Sequence, residues 1–191
     1  MKIRQLSVNY VSEQDRLLLK VNTDASEEMR LWLTRRLMVD LWPLLNQQAA
    51  RQLIQQETGG VALQSADEGL KKMLVDFRKD QFMREADFAT PYEDKPATLP
   101  LGPEPLLVTD LDVTPQAGGG LQLHFFERRQ TPEQRSFRIQ MDLKLMQGLV
   151  HLIEQALQRS KWSEPLAVAA PGDAPLAEGQ DPATGKPRYL N

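Results

Sequence analysis

Cysteine is absent from the 191 residues. That excludes a disulfide framework, a thiolate nucleophile and a zinc–thiolate site, and leaves the compartment open. Histidine is scarce: only His124 and His151 offer imidazole bases. No GxSxG serine elbow, Walker loop, HExxH or GxGxxG occurs. No apolar run approaches bilayer-spanning length, and the N-terminal MKIRQLSVNY lacks the apolar core of a signal peptide. The expectation is a cytoplasmic chain with no membrane partner. A basic excess is missing too. The net charge of −3 argues against gripping nucleic acid with the whole surface, though it permits a local basic groove. Hydrophobic residues at 41% and charged residues at 26% are ordinary for a soluble protein. The length allows one domain with a sizeable core or two small packed lobes.

What is present is a strand that runs directly into a helix, twice. In Glu28 to Ala49, Met29, Leu31 and Leu33 alternate with Arg30, Trp32 and Thr34, the period of a half-buried strand. Leu37, Leu41, Leu44, Leu45 and Ala49 then follow at helical spacing. Thr34 stands at the switch as a cap. Pro43 predicts a kink, or a helix that starts only near Asp40. From Arg135 to Gln158 the pattern returns with a shift of roughly 108 positions. Phe137, Ile139 and Met141 match the strand, Leu145, Leu149, Leu152 and Ile153 the helix, and Asp142 the cap. Upstream, Leu6, Val8 and Tyr10 and then Leu17, Leu19 and Val21 read as strands. Leu107, Leu111 and Val113 and then Leu121, Leu123 and Phe125 repeat that order. The fold class is therefore α+β: two β-β-β-α halves with antiparallel sheets, each sheet packed on its own trailing helix.

The divisions follow. Residues 1–58 form the first half, with turns at Ser12 to Asp15 and Thr23 to Glu27, and a helix stopped by Gly59 and Gly60. Residues 59–88 hold an inserted helix, opened by the capping-box pair Ser65 and Glu68 and striped by Leu70, Met73, Leu74 and Phe77. Residues 89–105 are a proline-rich connector, mobile or laid over a surface, with Tyr92, Leu99 and Leu101 available to pin it. Residues 106–162 are the second half, with Gly118 to Gly120 as a hairpin tip and Arg128 to Gln134 as a longer turn. Residues 163–191, rich in Pro, Gly and Ala, have the composition of a disordered tail.

No cluster reports a reaction, so the reading is a non-enzymatic binding or assembly protein that uses no cofactor or metal. Asp110 and Asp112 share a strand face, but nothing converges them with Asp142 or Glu127 as a hard-cation site requires. The basic features are Arg35-Arg36 and Arg128-Arg129. Trp32, beside Arg30 on the face opposite Leu31 and Leu33, suits packing, a homodimer contact or the stacking of a base. Arg30, Trp32, Arg35 and Arg128 are therefore the candidate binding residues. Possible partners are a second copy, another protein or a single-stranded nucleic acid. In architecture the duplicated strand–strand–strand–helix resembles the tandem sheet-and-helix modules of the Whirly and PUR kind, which bind single strands. No motif is shared, and fold does not imply function.

Overall fold

Alternating apolar side chains build the strands, and the turns between them set the pairing. A computed structural model of the chain describes residues 2–58, 69, 73, 77, 81, 82, 84, 90–93, 98–116, 120–128 and 134–162. Strands β1 (Ile3–Val11), β2 (Arg16–Thr23) and β3 (Glu28–Thr34) form an antiparallel meander. Asp15 closes the first turn with φ 47°, a left-handed conformation that aspartate tolerates. Leu6, Val8, Leu17, Leu19, Leu31 and Leu33 fall in register on one face, and most are fully buried.

Helix α1 (Arg35–Thr58) follows β3 without a break. Thr34 caps it: its Oγ1 accepts from Leu37 N at 3.2 Å. The helix runs through Pro43, so the alternative start near Asp40 is not adopted. Its buried stripe is Met38, Leu41, Leu45 and Ala49. Leu44, expected inside, is 37% exposed, while Met38 takes an inside place. The wheel explains the correction. Met38, Leu41, Leu45 and Ala49 follow each other at steps of three and four, whereas Leu44 lies about 100° from Leu45.

Four strands and a second helix follow. Strands β4 (Leu106–Leu107), β5 (Asp110–Pro115), β6 (Leu121–Glu127) and β7 (Arg135–Met141) precede α2 (Leu143–Ser160). Sheet order is β1-β2-β3-β4 in one sheet and β5-β6-β7 in the other, with β4 parallel to β3 and the other pairs antiparallel. Asp142 caps α2, accepting from Leu145 N at 2.8 Å, and Lys161 ends it in a left-handed conformation. Gly120 is required where the β5–β6 hairpin closes, since a Cβ there would sit 2.8 Å from Met141 O.

The stretch from Leu106 to Asp110 joins the sheets. Val108 N donates to Trp32 O in β3, and the next amide, Thr109 N, donates to Phe126 O in β6. Successive amides of an extended strand point to opposite edges, so β3 and β6 flank the same stretch. Leu106 and Val108 are buried, yet Leu111 and Val113 are the residues opposite buried Phe125 and Leu123. The inward-facing parity thus changes between Val108 and Leu111, as an extra residue in a strand requires.

One hydrophobic core collects the inner faces of both sheets and both helices. The expectation that each sheet packs on its own helix is corrected. Helix α2 lies closest to β1 of the first sheet, and α1 reaches the second sheet, where Gln52 Nε2 donates to Gly120 O at 3.2 Å. Met73 and Phe77, two residues of the expected apolar stripe, are each 64% exposed. The capping pair Ser65 and Glu68, Leu70 and Leu74, the hairpin glycines 118 and 119, and the tail from Ser163 lie outside the described residues. No helix among the described residues is long and apolar enough to cross a membrane.

Candidate functional site

Pairing leaves β1 with one edge bonded to β2 and, among the described residues, no strand on the other. Helix α2 lies along that side. Trp162, just past its end, meets the ring of Tyr10 near the end of β1 at 6.0 Å edge-on, so helix and strand run the same way. Between them opens a cleft of about 740 Å³. Its floor is the strand from Arg4 to Asn9, and its wall is α2 from Lys144 to Arg159. The segment Thr90 to Glu93 closes the Arg4 end, and Phe82 lies against the wall at Gly148.

The closing segment is held by side chains of the sheet's outer face. Gln5 grips it at both polar atoms, Nε2 donating to Pro91 O at 3.3 Å and Oε1 accepting from Glu93 N at 3.0 Å. Asn22 Nδ2 donates to Glu93 O, and Arg4 pairs with the Glu93 carboxylate at 3.0 Å. Tyr92 O–H donates to Glu28 at 2.9 Å and lies under the Lys20 ammonium. Glu28 is itself fully buried, with its second oxygen on Arg30 Nε.

Polar and apolar groups share the cleft. Leu6, Val8, Leu145 and Leu152 supply apolar surface, and at Gly148 a Cβ would meet, among the described residues, the Phe82 ring at 3.8 Å. The Arg4 charge is matched by Glu93, and Asp142 is engaged in capping α2. Lys144 and Arg159 are exposed and carry no hydrogen bond or ion pair among the described residues. At 1.5 Å per residue they stand about 22 Å apart along α2.

The far end of the cleft is tied shut by a carboxylate. Asp15 accepts from Trp162 Nε1 at 2.7 Å and from Tyr10 O–H at 2.9 Å. These two bonds, the indole's first, hold its carboxyl below the usual carboxylate range, while the same contact with Asp15 raises the Tyr10 phenol. Arg35 Nη2 donates to Trp162 O at 2.8 Å.

The residues singled out from sequence are spread over three places. Arg30 and half-buried Trp32 share the outer face of β3, with Arg30 held by Glu28. Arg35 belongs to the tie around Trp162. Arg128 pairs with Asp110 at 3.1 Å beside the second sheet. Asp112 lies opposite His124 on the outer face of that sheet, with Phe126 3.9 Å from the imidazole and Arg138 3.2 Å from its Nδ1. Burial first, and the Arg138 guanidinium second, lower the His124 pKa. Asp142 and Glu127 are engaged elsewhere, and no metal-holding group of His, Asp or Glu occurs among the described residues.

Comparison with protein families, curated proteins and solved structures returned no match. Sequence reasoning missed Gln5, Lys144, Gly148 and Arg159. Gly148 carried a signal: a lone glycine in a strong helical pattern lowers helix stability and often has a packing or binding reason.

Proposed function

We propose that this chain is a non-enzymatic binding or assembly protein that takes up an extended polypeptide segment along the free edge of β1. The cleft between that edge and α2 carries the reading. A strand edge offers backbone donors and acceptors to any extended chain, and a helix alongside offers pockets for alternate side chains. The cleft volume, about 740 Å³, falls within the range of ligand sites.

The same reading takes the chain as two like-built halves, 1–58 and 106–162, whose pairing sets β1 and α2 side by side. Matching caps at Thr34 and Asp142 support it, as does matching burial of Met38 with Met146, Leu41 with Leu149 and Leu45 with Ile153.

Selection of random displayed heptapeptides on the full chain tests the proposal. Binders are expected, and they should slow hydrogen exchange of the β1 amides about tenfold or more. Gly148→Trp, which raises the wall of the cleft, should abolish their capture. Failure to select any binder, or protection confined to other strands, rejects the reading; that exchange footprint does not depend on the variant folding. A selected peptide drawn from the chain's own sequence makes the assembly a homodimer.

A further inference from the structure

Resting on the cleft reading above, we infer that the segment bound along β1 is acidic: an extended peptide of about six or seven residues, with carboxylates toward both ends and apolar side chains between. The length follows from the floor. Arg4 to Asn9 spans roughly 17 Å at about 3.4 Å per residue, and the roughly 22 Å between Lys144 and Arg159 on the wall adds room for about one residue more.

The charge follows from which groups are already engaged. Among the described residues three cations line the cleft: Arg4 is neutralised by Glu93, while Lys144 and Arg159 are unmatched and stand near opposite ends. Of the two acids, Glu93 is the partner of Arg4, and Asp142 accepts from Leu145 N. A basic segment would meet two exposed cations with, among the described residues, no free carboxylate to offset them. An acidic one meets a cation toward each end of the strand. Between those ends Leu6, Val8, Leu145, Leu152 and the Phe82 ring at Gly148 line the cleft with apolar surface, against which uncharged side chains of the segment would rest. Exposed cations of this kind act mostly on specificity and encounter rate, so the preference weakens with salt.

Three acetylated heptapeptides with one Leu-Val-Leu centre test the inference, carrying two glutamates, two glutamines or two lysines at each end. Fluorescence anisotropy on the full chain, at about 50 mM salt where screening is weak, should rank glutamate over glutamine by about tenfold and show no lysine binding. The gap should narrow severalfold at about 0.5 M salt. The double variant Lys144→Glu, Arg159→Glu should invert the order; both positions are exposed, so folding is checked by circular dichroism. Equal binding of all three peptides, still abolished by Gly148→Trp, overturns the acidic preference and leaves the cleft reading intact. Binding of none overturns both. A short single-stranded oligonucleotide that outcompetes the glutamate peptide, and loses affinity in the double variant, overturns the peptide in favour of nucleic acid.

Discussion

Asp15 shows how one exposed side chain can govern an interface. It sits in a left-handed turn position and receives both Trp162 Nε1–H and Tyr10 O–H. Because these bonds favour the ionised form, the folded pKa lies below the unfolded one. The stabilisation is present above the unfolded value and is lost as pH falls through the folded one. Asp15→Asn keeps the turn, since asparagine also tolerates φ above zero, and removes the charge. We expect the variant to be less stable than wild type in urea at neutral pH, with the difference shrinking as pH falls below the ordinary carboxylate range and through the depressed folded value. A pH-independent difference would place the effect in the turn instead of the carboxylate. Arg30, Arg35 and Arg128 teach the complementary lesson. Sequence shows that a residue is cationic; only coordinates show that Glu28, the Trp162 carbonyl and Asp110 already hold it.

Helix α1 tests which leucines its stripe contains. Leu45 is fully buried and Leu44 is 37% exposed. Leu45→Ala should cost about 2–5 kcal/mol and Leu44→Ala less than about 1 kcal/mol in equilibrium unfolding. Similar losses at both sites would mean the helix is turned about its axis. Much at this scale was legible beforehand. The alternation in Met29 to Leu33 and Phe137 to Met141 fixed strands because a one-residue slip would expose the whole apolar set. Thr34 and Asp142 were legible as caps because short oxygen-bearing side chains satisfy free amides there. The neighbour of each helix was not legible. An apolar stripe demands burial but does not name the surface that buries it, so α2 along β1 could not be read from Leu149 or Ile153 alone. Nor could the parity change near Thr109, because a single added residue leaves no mark in a short apolar pattern.

At the scale of the molecule, Tyr92 and the stretch from Thr98 to Pro105 act as a strap. Tyr92 is fastened to buried Glu28, and Glu28 N donates to Thr98 O. Further on, the Arg135 guanidinium pairs with Glu127 and donates to the carbonyls of Leu101, Glu104 and Pro105. Glu127 is 9% and Arg135 23% exposed at the side chain, so solvent screens this pair little. Arg135→Met should cost about 3–5 kcal/mol, because it deprives a nearly buried carboxylate of its arginine and frees three carbonyls. Urea unfolding measures it, and a loss under about 1 kcal/mol would show that the strap needs no such anchor. Sequence located Tyr92 and Leu101 as pins but was silent on Arg135, whose partners lie some thirty positions away.

The joint at Leu106 to Thr109 has a consequence for how the chain is made. A ribosome releases β1, β2 and β3 first, yet the cover of the far side of β3 begins only at Thr98 and is completed after residue 105, and α2 comes later still. Until then the nascent meander carries two uncovered sides, with Trp32 at one and Val8 at the other. Such sides pair readily with neighbouring chains. Stalled or shortened products should therefore aggregate, and the finished molecule would owe the cover of both sides to elements that arrive last.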